Sequence, residues 1–428
     1  MGTLDTFANH TTEKDAMTES RVLIVGGGAA GLSAAIVSAR VGADVTLLER
    51  DARVGRKILA SGNGRCNLTN LSISPAAYNH PDFVEPVLSA YSCETIRSFF
   101  GVLGLLTSAD DEGRVYPVTN FAGSVLDVLR MECAHLGVKT RCGFDVARVS
   151  EEPRSKGFEV TSQDGETVLA EAVVVTTGGG SLLAGLGHGL VETLPVLGPI
   201  RTDAEPIRGL SGVRVRCTAT LLVGADDDNT GGDAVATERG ELLFRDYGVS
   251  GIMIFDLSRH LETGCVISID FFPDIALTEL QTLISKRRAS LPWRTAETFF
   301  AGMLHDRVAR AVSRAAGIGL DTPVATLPEA RLGALLKDFR LRVLGMGDPN
   351  QAQVTRGGAS VAEFDPDTMA SRRVDGLFAA GEVLDIDGRS GGFNLHWAWA
   401  SGIVAGEAAA RVAMMRATQS GISSRGSE

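Results

Sequence analysis

The sequence predicts an α/β protein in which one parallel-sheet domain is interrupted by an inserted domain, first rich in strands and then helical. Three observations predict it. Residues 22–49 read strand, glycine turn, helix, strand, and glycine-rich segments of similar texture return at 178–180 and 381–395. The stretch between those later segments changes its periodicity twice. Segments 19–193 and 350–414 are therefore expected to form one domain and 194–349 the insertion, with flexible tails at 1–18 and 415–428.

The first element is the apolar run Val22-Leu23-Ile24-Val25, of strand length. It enters Gly26-x-Gly28-x-x-Gly31, with Ala29 and Ala30 assigned to the cofactor, and a helix of small residues from about Ala30 to Val41. A second apolar run, Val45 to Leu48, ends in Glu49 and is followed by Arg50. Gly26 permits the tight turn, Gly28 lets a pyrophosphate approach the backbone, and Gly31 lets the helix pack closely on the strand. The unpaired amides and positive dipole end of the helix then face the phosphates. Glu49 lies 18 residues beyond Gly31, where a carboxylate accepts a hydrogen bond from a ribose hydroxyl and disfavours a 2′-phosphate. This is the fingerprint of a Rossmann-like dinucleotide site.

The next segment selects the dinucleotide. Arg53-Val54-Gly55-Arg56-Lys57 and Ser61-Gly62-Asn63-Gly64-Arg65-Cys66-Asn67 form a long, basic, glycine-rich loop directly after the acid. FAD extends far beyond its adenosine half, so a second length of backbone must track its ribityl chain and ring. Arg56, Lys57, Ser61, Gly62 and Asn63 are assigned to that role. FAD is the expected cofactor, with NADH or NADPH as a transient electron donor, because no second full βαβ fingerprint is present.

Residues 70–130 are expected to be mainly helical. Ala90 to Leu103 can pack one face through Ile96, Phe99, Phe100 and Leu103, and Ala122 to Leu136 is a second helix. Val138 to Val149 and Phe158 to Thr161 read as short strands. Ala170 to Thr177 is a near-continuous apolar strand ending in Gly178-Gly179-Gly180, the composition of a buried parallel strand whose end lies near a ligand. Thr177, Gly178 and Gly179 are assigned to the cofactor on that ground. In the insertion, Val213 to Val223, Gly240 to Phe244 and Cys265 to Phe272 alternate like antiparallel strands, and Leu277 to Leu344 reads as helical, broken near Pro292 and Pro323 to Pro328. Val354 to Ala362 resumes the strand texture. Gly376 to Val383 is a strand entering a turn that carries Gly381 and Glu382. Finally Gly391-Gly392-Phe393-Asn394-Leu395 opens a helix running to about Val412. If its unpaired amides face the flavin pyrimidine, they stabilise the negative charge of the reduced ring by about 1 kcal/mol.

The segments GRKILASGNGRCNLTN at 55–70, Gly376-Leu377-Phe378-Ala379-Ala380-Gly381-Glu382, and AGEVLDIDG and GGFNLHWAWASG between 380 and 402 carry a family resemblance. The chain resembles, from about Arg21 to Ala410, a bacterial flavoprotein family that includes proteins described as aminoacetone oxidase and a bile-acid dehydro-reductase. The resemblance implies a glutathione-reductase-like FAD domain, an oxidoreductase activity, and a backbone group near Val146 meeting the adenine. Two departures are visible: His396 stands where the family more often has glutamine, and the segment Ser181 to Gly189 is short.

Three residues are candidates for the chemistry. His396, close to a cofactor segment, could donate a proton near neutral pH. Cys66 and Arg65 lie in the loop expected to run beside the flavin. No HExxH, P-loop or CxxC competes with them. No metal is expected: Asp226-Asp227-Asp228 lacks the EF-hand pattern, since Thr230 and Thr237 fall at ligand positions.

Composition sets the remaining bounds. A net charge of −11 argues against nucleic acid as a partner, and no apolar run reaches the length of a membrane span. Six cysteines without paired spacing, and a polar start without a secretory signal, fit a cytoplasmic protein acting on a small molecule. The flavin classes left are a reductase, passing hydride to an activated double bond, and an oxidase of a small amine using dioxygen. An RNA-modifying flavoprotein is disfavoured by the acidic balance.

Overall fold

A computed structural model describes residues 20–152, 157–226 and 231–425. Strand Ser20–Val25 lies at the centre of a seven-stranded sheet, between the parallel strands Val45–Glu49 and Thr167–Val175. Lys139–Cys142 extends the sheet in parallel beyond Val45–Glu49. On the other side the strands are antiparallel: Gly157–Ser162 pairs with residues 167–170, and Val146–Glu152 pairs with Gly157–Ser162. The upper half of the same edge, residues 173–175, pairs in parallel with Leu377–Ala379. Chain from before and after the insertion thus completes one sheet, and the fold is a Rossmann-type α/β domain.

Two helices cover the central strands. Helix Ala29–Val41 and helix Phe393–Arg425 cross so closely that a Cβ on Gly402 would lie 2.4 Å from Ala30 O, and one on Gly406 2.5 Å from Ala34 O. Ser38 Oγ donates to Gly406 O at 2.8 Å. Small residues on both helices let the backbones meet, so any side chain at Gly402 or Gly406 would push them apart.

The insertion is a closed six-stranded barrel, in the spatial order Ile200–Thr202, Gly248–Ser250, Asp233–Arg245, Arg214–Val223, Val266–Asp270, Phe339–Met346. It has its own core, in which Leu221, Leu242, Phe244, Ile267, Phe299 and Leu341 are buried. The chain enters along Leu190–Val196 and leaves along Val354–Ala359, which pair antiparallel as a two-stranded ribbon.

Several expectations need correction. The helical stretch assigned through Leu344 ends at Lys337, and Phe339–Met346 closes the barrel as a strand. Its alternation of buried Phe339, Leu341 and Val343 with Arg340 and Arg342 has the period of two that a barrel wall requires. The helix expected from Ala90 to Leu103 is Cys93–Val102, starting three residues later because Ser92 accepts the Thr95 N–H as its cap, and a separate helix, Pro81–Ala90, precedes it. The flexible tail expected from 415 is helical to Arg425. Arg416 anchors it by donating to Glu171 O and Asp375 Oδ2, each at 2.6 Å. The expected tail 1–18 lies outside the described residues, as does most of the Asp226–Thr230 turn. Among the described residues no group of acids, histidines and cysteines could hold a metal, and no helix is long and apolar enough to cross a membrane.

Candidate active site

The first glycine turn is held by partners from three strands. Glu49 Oε2 accepts the Gly27 N–H at 2.7 Å, and its Oε1 accepts the Asp51 N–H at 2.9 Å. Thr176 Oγ1 lies 2.9 Å from both Val25 O and Gly26 O. Gly31 is sterically required, since a Cβ there would stand 1.8 Å from Gly26 O. Gly28 differs: a Cβ there would meet nothing within 4 Å, and the residue caps the helix without a side chain. The first-turn amides therefore face open space, as an arriving pyrophosphate needs. Gly27 and Thr176 were not singled out in the sequence, although a threonine ending a buried strand beside a glycine turn is a legible signal.

The other cofactor segments converge on this turn. Gly381 packs on Ala30, within 3.0 Å of a Cβ position, and the Gly55 N–H donates to Gly27 O at 2.8 Å. Lys57 Nζ reaches Glu382 Oε2 at 2.6 Å, while Glu382 Oε1 accepts the Thr355 N–H at 2.7 Å. A Cβ on Gly178 would lie 2.9 Å from Lys57 Nζ. Lys57, Gly178 and Glu382 thus come together from three segments, with Thr177 and Gly179 beside them. Ser61 Oγ donates to Ile58 O at 2.6 Å, and Gly62 and Asn63 adopt left-handed backbone in the turn that follows. Phe144, two residues before Val146, donates its N–H to Glu49 O at 2.9 Å, which sets the start of that strand next to the acid. Arg50 and Arg56 are not brought in: both are exposed, and Arg56, with a side chain 81% exposed, leans 3.6 Å from Asp51.

The loop 61–70 and the start of the last helix face each other. Gly392 takes φ +105° and passes so close that a Cβ would meet Thr69 O at 2.5 Å and Asn67 Oδ1 at 2.8 Å. Asn67 Oδ1 is buried and has no hydrogen-bond partner among the described residues. A buried acceptor left open beside a helix N-terminus fits a polar ring with its own N–H donors. The amides above Gly28, the carboxylate of Glu49 and this open acceptor together fit FAD.

The three residues proposed for the chemistry are not free to perform it. His396 is fully buried; its Nε2 lies 2.9 Å from Tyr91 O and its Nδ1 2.7 Å from Thr69 Oγ1. Because a carbonyl only accepts, Nε2 carries the proton and donates, leaving Nδ1 to accept from Thr69. Burial pushes the ring down to about 4, so it is neutral and cannot be the expected proton donor. Cys66 is enclosed, and burial pushes its thiol up to about 12, which leaves it protonated and inert. Arg65 lies 4.6 Å over the Tyr116 ring and reaches Gly62 O at 3.4 Å, so it packs the loop. Asn394 is also occupied: it accepts the Gly388 N–H and donates to Gly388 O and Arg389 O, clamping the turn before the helix. Phe393 sits edge-on to Tyr78, whose hydroxyl donates to Phe393 O at 2.8 Å, and Leu395 is partly buried against the core.

The His396 environment makes a pH prediction. The unfolded ring binds protons below its ordinary value near 6.5, while the folded ring resists protonation until about 4. Stability is therefore full above 6.5 and falls as pH drops toward 4, by about 3 kcal/mol. His396→Gln removes the titrating ring and should lose this acid sensitivity. Urea denaturation at pH 7.5 and 4.5 measures it, and an unchanged pH dependence in the variant would assign the effect elsewhere.

One set of charged groups open to a guest lies between the domains. A cleft of about 370 Å³ is lined by Tyr78, Asn79, Arg356 and Arg389 of the α/β domain and by Glu238, Asp256, Arg259 and His260 of the barrel. Its floor is an ion-pair network around Asp387, which is fully buried. Arg259 Nε meets Asp387 Oδ2 at 2.7 Å, and Arg356 Nε meets Oδ1 at 2.9 Å. Asp385 takes His80 Nε2 at 2.9 Å and the Gly357 N–H at 3.1 Å. On the barrel side, Asp256 Oδ1 accepts the Ser390 N–H at 2.6 Å and Arg389 meets Glu238 at 2.6 Å. Burial pushes the Asp256 carboxyl up to about 6 against the opposing pull of Ser390 and Arg389. None of these cleft residues was picked out as functional from the sequence. The one signal was Asp385 inside the apolar run Val383 to Ile386, with Asp387 directly after it, since acids in a buried run require partners.

Fold and site together define an enzyme, an FAD-dependent oxidoreductase built on a Rossmann-type domain. Residues 20–408 match the family model described as HI0933-like protein Rossmann domain, and the chain belongs to that family. It is 33% identical over 416 residues to the 3-dehydro-bile acid delta(4,6)-reductase of Clostridium scindens, covering 91% of this chain and 99% of that one. It is 29% identical over 400 residues to the ribosomal RNA dihydrouridine synthase of Escherichia coli, covering 89% of this chain and 95% of that one. Among solved structures it is similar to the 3-ketosteroid-delta4-(5alpha)-dehydrogenase of Rhodococcus jostii RHA1, at 17% identity and a TM-score of 0.47, over 94% of this chain and 99% of that one. Neither of the two relatives' names mentions aminoacetone oxidation. The acidic balance read as excluding nucleic acid now stands beside a relative named for ribosomal RNA.

Proposed function

We propose that this enzyme reduces a carbon–carbon double bond conjugated to a carbonyl, with NADH or NADPH as the electron source and FAD as carrier. The observation that carries this reading is the interdomain cleft. It opens against the turn 388–390 that leads into Gly391-Gly392, and it presents guanidinium groups to a carbonyl-bearing guest. The two relatives' names support it: one is a delta(4,6)-reductase of a 3-dehydro-bile acid and the other a ribosomal RNA dihydrouridine synthase.

FAD, when bound, supplies hydride transfer at its N5 position. The chain's own residues do the rest. Glu49 would take a ribose hydroxyl and the amides above Gly28 the pyrophosphate, while Lys57 with Glu382 ties the loop after Arg53 to the segment 376–382. The residues from about 194 to 349 would form the substrate side of the site and exclude water from it. Arg356 faces the cleft with its guanidinium fixed by Asp387, oriented to polarise the acceptor carbonyl.

An anaerobic titration tests the reading. NADH or NADPH should bleach the flavin, and one of three acceptors should restore the colour: cyclohex-2-enone, a 4,6-dien-3-one steroid or a uridine-containing oligoribonucleotide. If nicotinamides leave the colour intact while a small amine bleaches it, and peroxide forms on admitting air, the enzyme is an oxidase and the reading is wrong.

A further inference from the structure

Saturating an enone takes a proton as well as a hydride, and the groups first suspected of supplying one, His396 and Cys66, are sealed away. We propose that Asp256 is the acid of the reaction, its Oδ2 delivering a proton to the α-carbon of an enone held in the interdomain cleft. This rests on the reductase reading above.

The geometry singles Asp256 out. It stands on the barrel helix Ile252–Ser258 and reaches across the domain boundary to the turn that leads into Gly391-Gly392. Its Oδ1 is pinned by the Ser390 N–H at 2.6 Å, whereas Oδ2 lies 3.7 Å from the nearest guanidinium nitrogen of Arg389, beyond hydrogen-bond range. One oxygen is fixed and the other is left for a guest.

The charged and titratable groups around it come from every packed element. They are Glu238 from the barrel wall, Arg259 and His260 beyond the end of its own helix, Arg389 from the turn, and Arg356 and Tyr78 across the cleft. The competitors are weaker. Tyr78 already donates to Phe393 O, and its hydroxyl is pushed up by burial. His260 is pushed down by burial and by Arg259 and Arg356, which favours its neutral form. Asp256 is held near 6 by burial, so about one molecule in ten still carries the proton at pH 7.

The step balances. A hydride equivalent originating from the reduced nicotinamide adds to the β-carbon, and the π pair shifts toward the carbonyl. The α-carbon takes the proton from Asp256, and the carboxylate left behind regains one from solvent. The nicotinamide is oxidised and the double bond is reduced.

The test uses FAD holoenzyme photoreduced without oxygen, then mixed with a 4,6-dien-3-one steroid or a uridine-containing oligoribonucleotide. Asp256→Asn should slow reoxidation by whichever acceptor the wild type uses at least a hundredfold, while acceptor affinity for the oxidised protein stays within threefold. Asp256→Glu should recover part of the rate. The wild-type rate should fall about tenfold per pH unit above 6, and this dependence should vanish in Asp256→Asn. Infrared titration should show a protonated-carboxyl band that disappears near pH 6 in wild type and is missing from the variant. A wild-type reoxidation rate in Asp256→Asn, or no such band in the wild type, overturns the proposal. Failure of the wild type to react with either acceptor or with cyclohex-2-enone sinks the reductase reading itself, and the proposal with it.

Discussion

Replacing Gly28 with valine is expected to give a folded protein that purifies without flavin colour. The position is open in the structure, since a Cβ would meet no atom within 4 Å, so the substitution introduces no clash in the protein itself. The same space lies above the first-turn amides of helix Ala29–Val41. A branched side chain there keeps the phosphates from those amides. Two lost charge-assisted hydrogen bonds, at about 2 kcal/mol each, weaken FAD binding on the order of a thousandfold. Gly31 provides the contrast: a Cβ 1.8 Å from Gly26 O cannot be accommodated, so Gly31→Ala should lose stability as well as FAD. Flavin absorbance per chain after gel filtration, with thermal melting of the same samples, reads both effects. A Gly28→Val protein that kept one FAD per chain would remove this turn from the cofactor site.

Asp387→Ala should be among the most destabilising single changes at the domain boundary. The carboxylate is fully buried and accepts from both Arg259 and Arg356, while its backbone carbonyl takes Arg259 Nη2 at 3.0 Å and its N–H donates to Asn79 Oδ1 at 2.9 Å. Removing the carboxylate leaves the Arg259 guanidinium buried and uncompensated, at a cost of about 3–5 kcal/mol. Arg356 is the more solvent-exposed partner, with a side chain 31% exposed, and Arg356→Ala should cost less. Urea denaturation followed by a domain-specific fluorescence probe makes the comparison. Equal, small losses for the two variants would show that the network does not hold the domains together.

What could be read from the sequence was what is encoded locally. The turn Gly26 to Gly31, Glu49 at a strand end, and the helix opening at Phe393 are each set by residues within one element, and the structure shows those elements as expected. The cleft was not legible for the opposite reason. Arg259 and Asp387 are 128 positions apart, and no periodicity links them. His396 was misjudged because nearness to a glycine segment says nothing about burial, which here comes from Tyr91 and Thr69 on distant elements. Strand Phe339–Met346 was hidden by the helices before it, although its alternation was present in the sequence.

The shared edge of strand Thr167–Val175 also dictates an order of assembly. Every neighbour of the barrel strands lies within residues 200–346, so that body can close as soon as those residues have left the ribosome. The other sheet must wait. Leu377–Ala379 supplies its last parallel strand, and the helix from Phe393 supplies the cover over Ala30 and Ala34, roughly two hundred residues after the strand they complete. During synthesis the first glycine turn therefore stays without its roof while an already folded barrel hangs from one half of an unfinished ribbon. A chain stalled before residue 377 is expected to carry a closed barrel and to bind no flavin, and flavin absorbance of the stalled chain checks it.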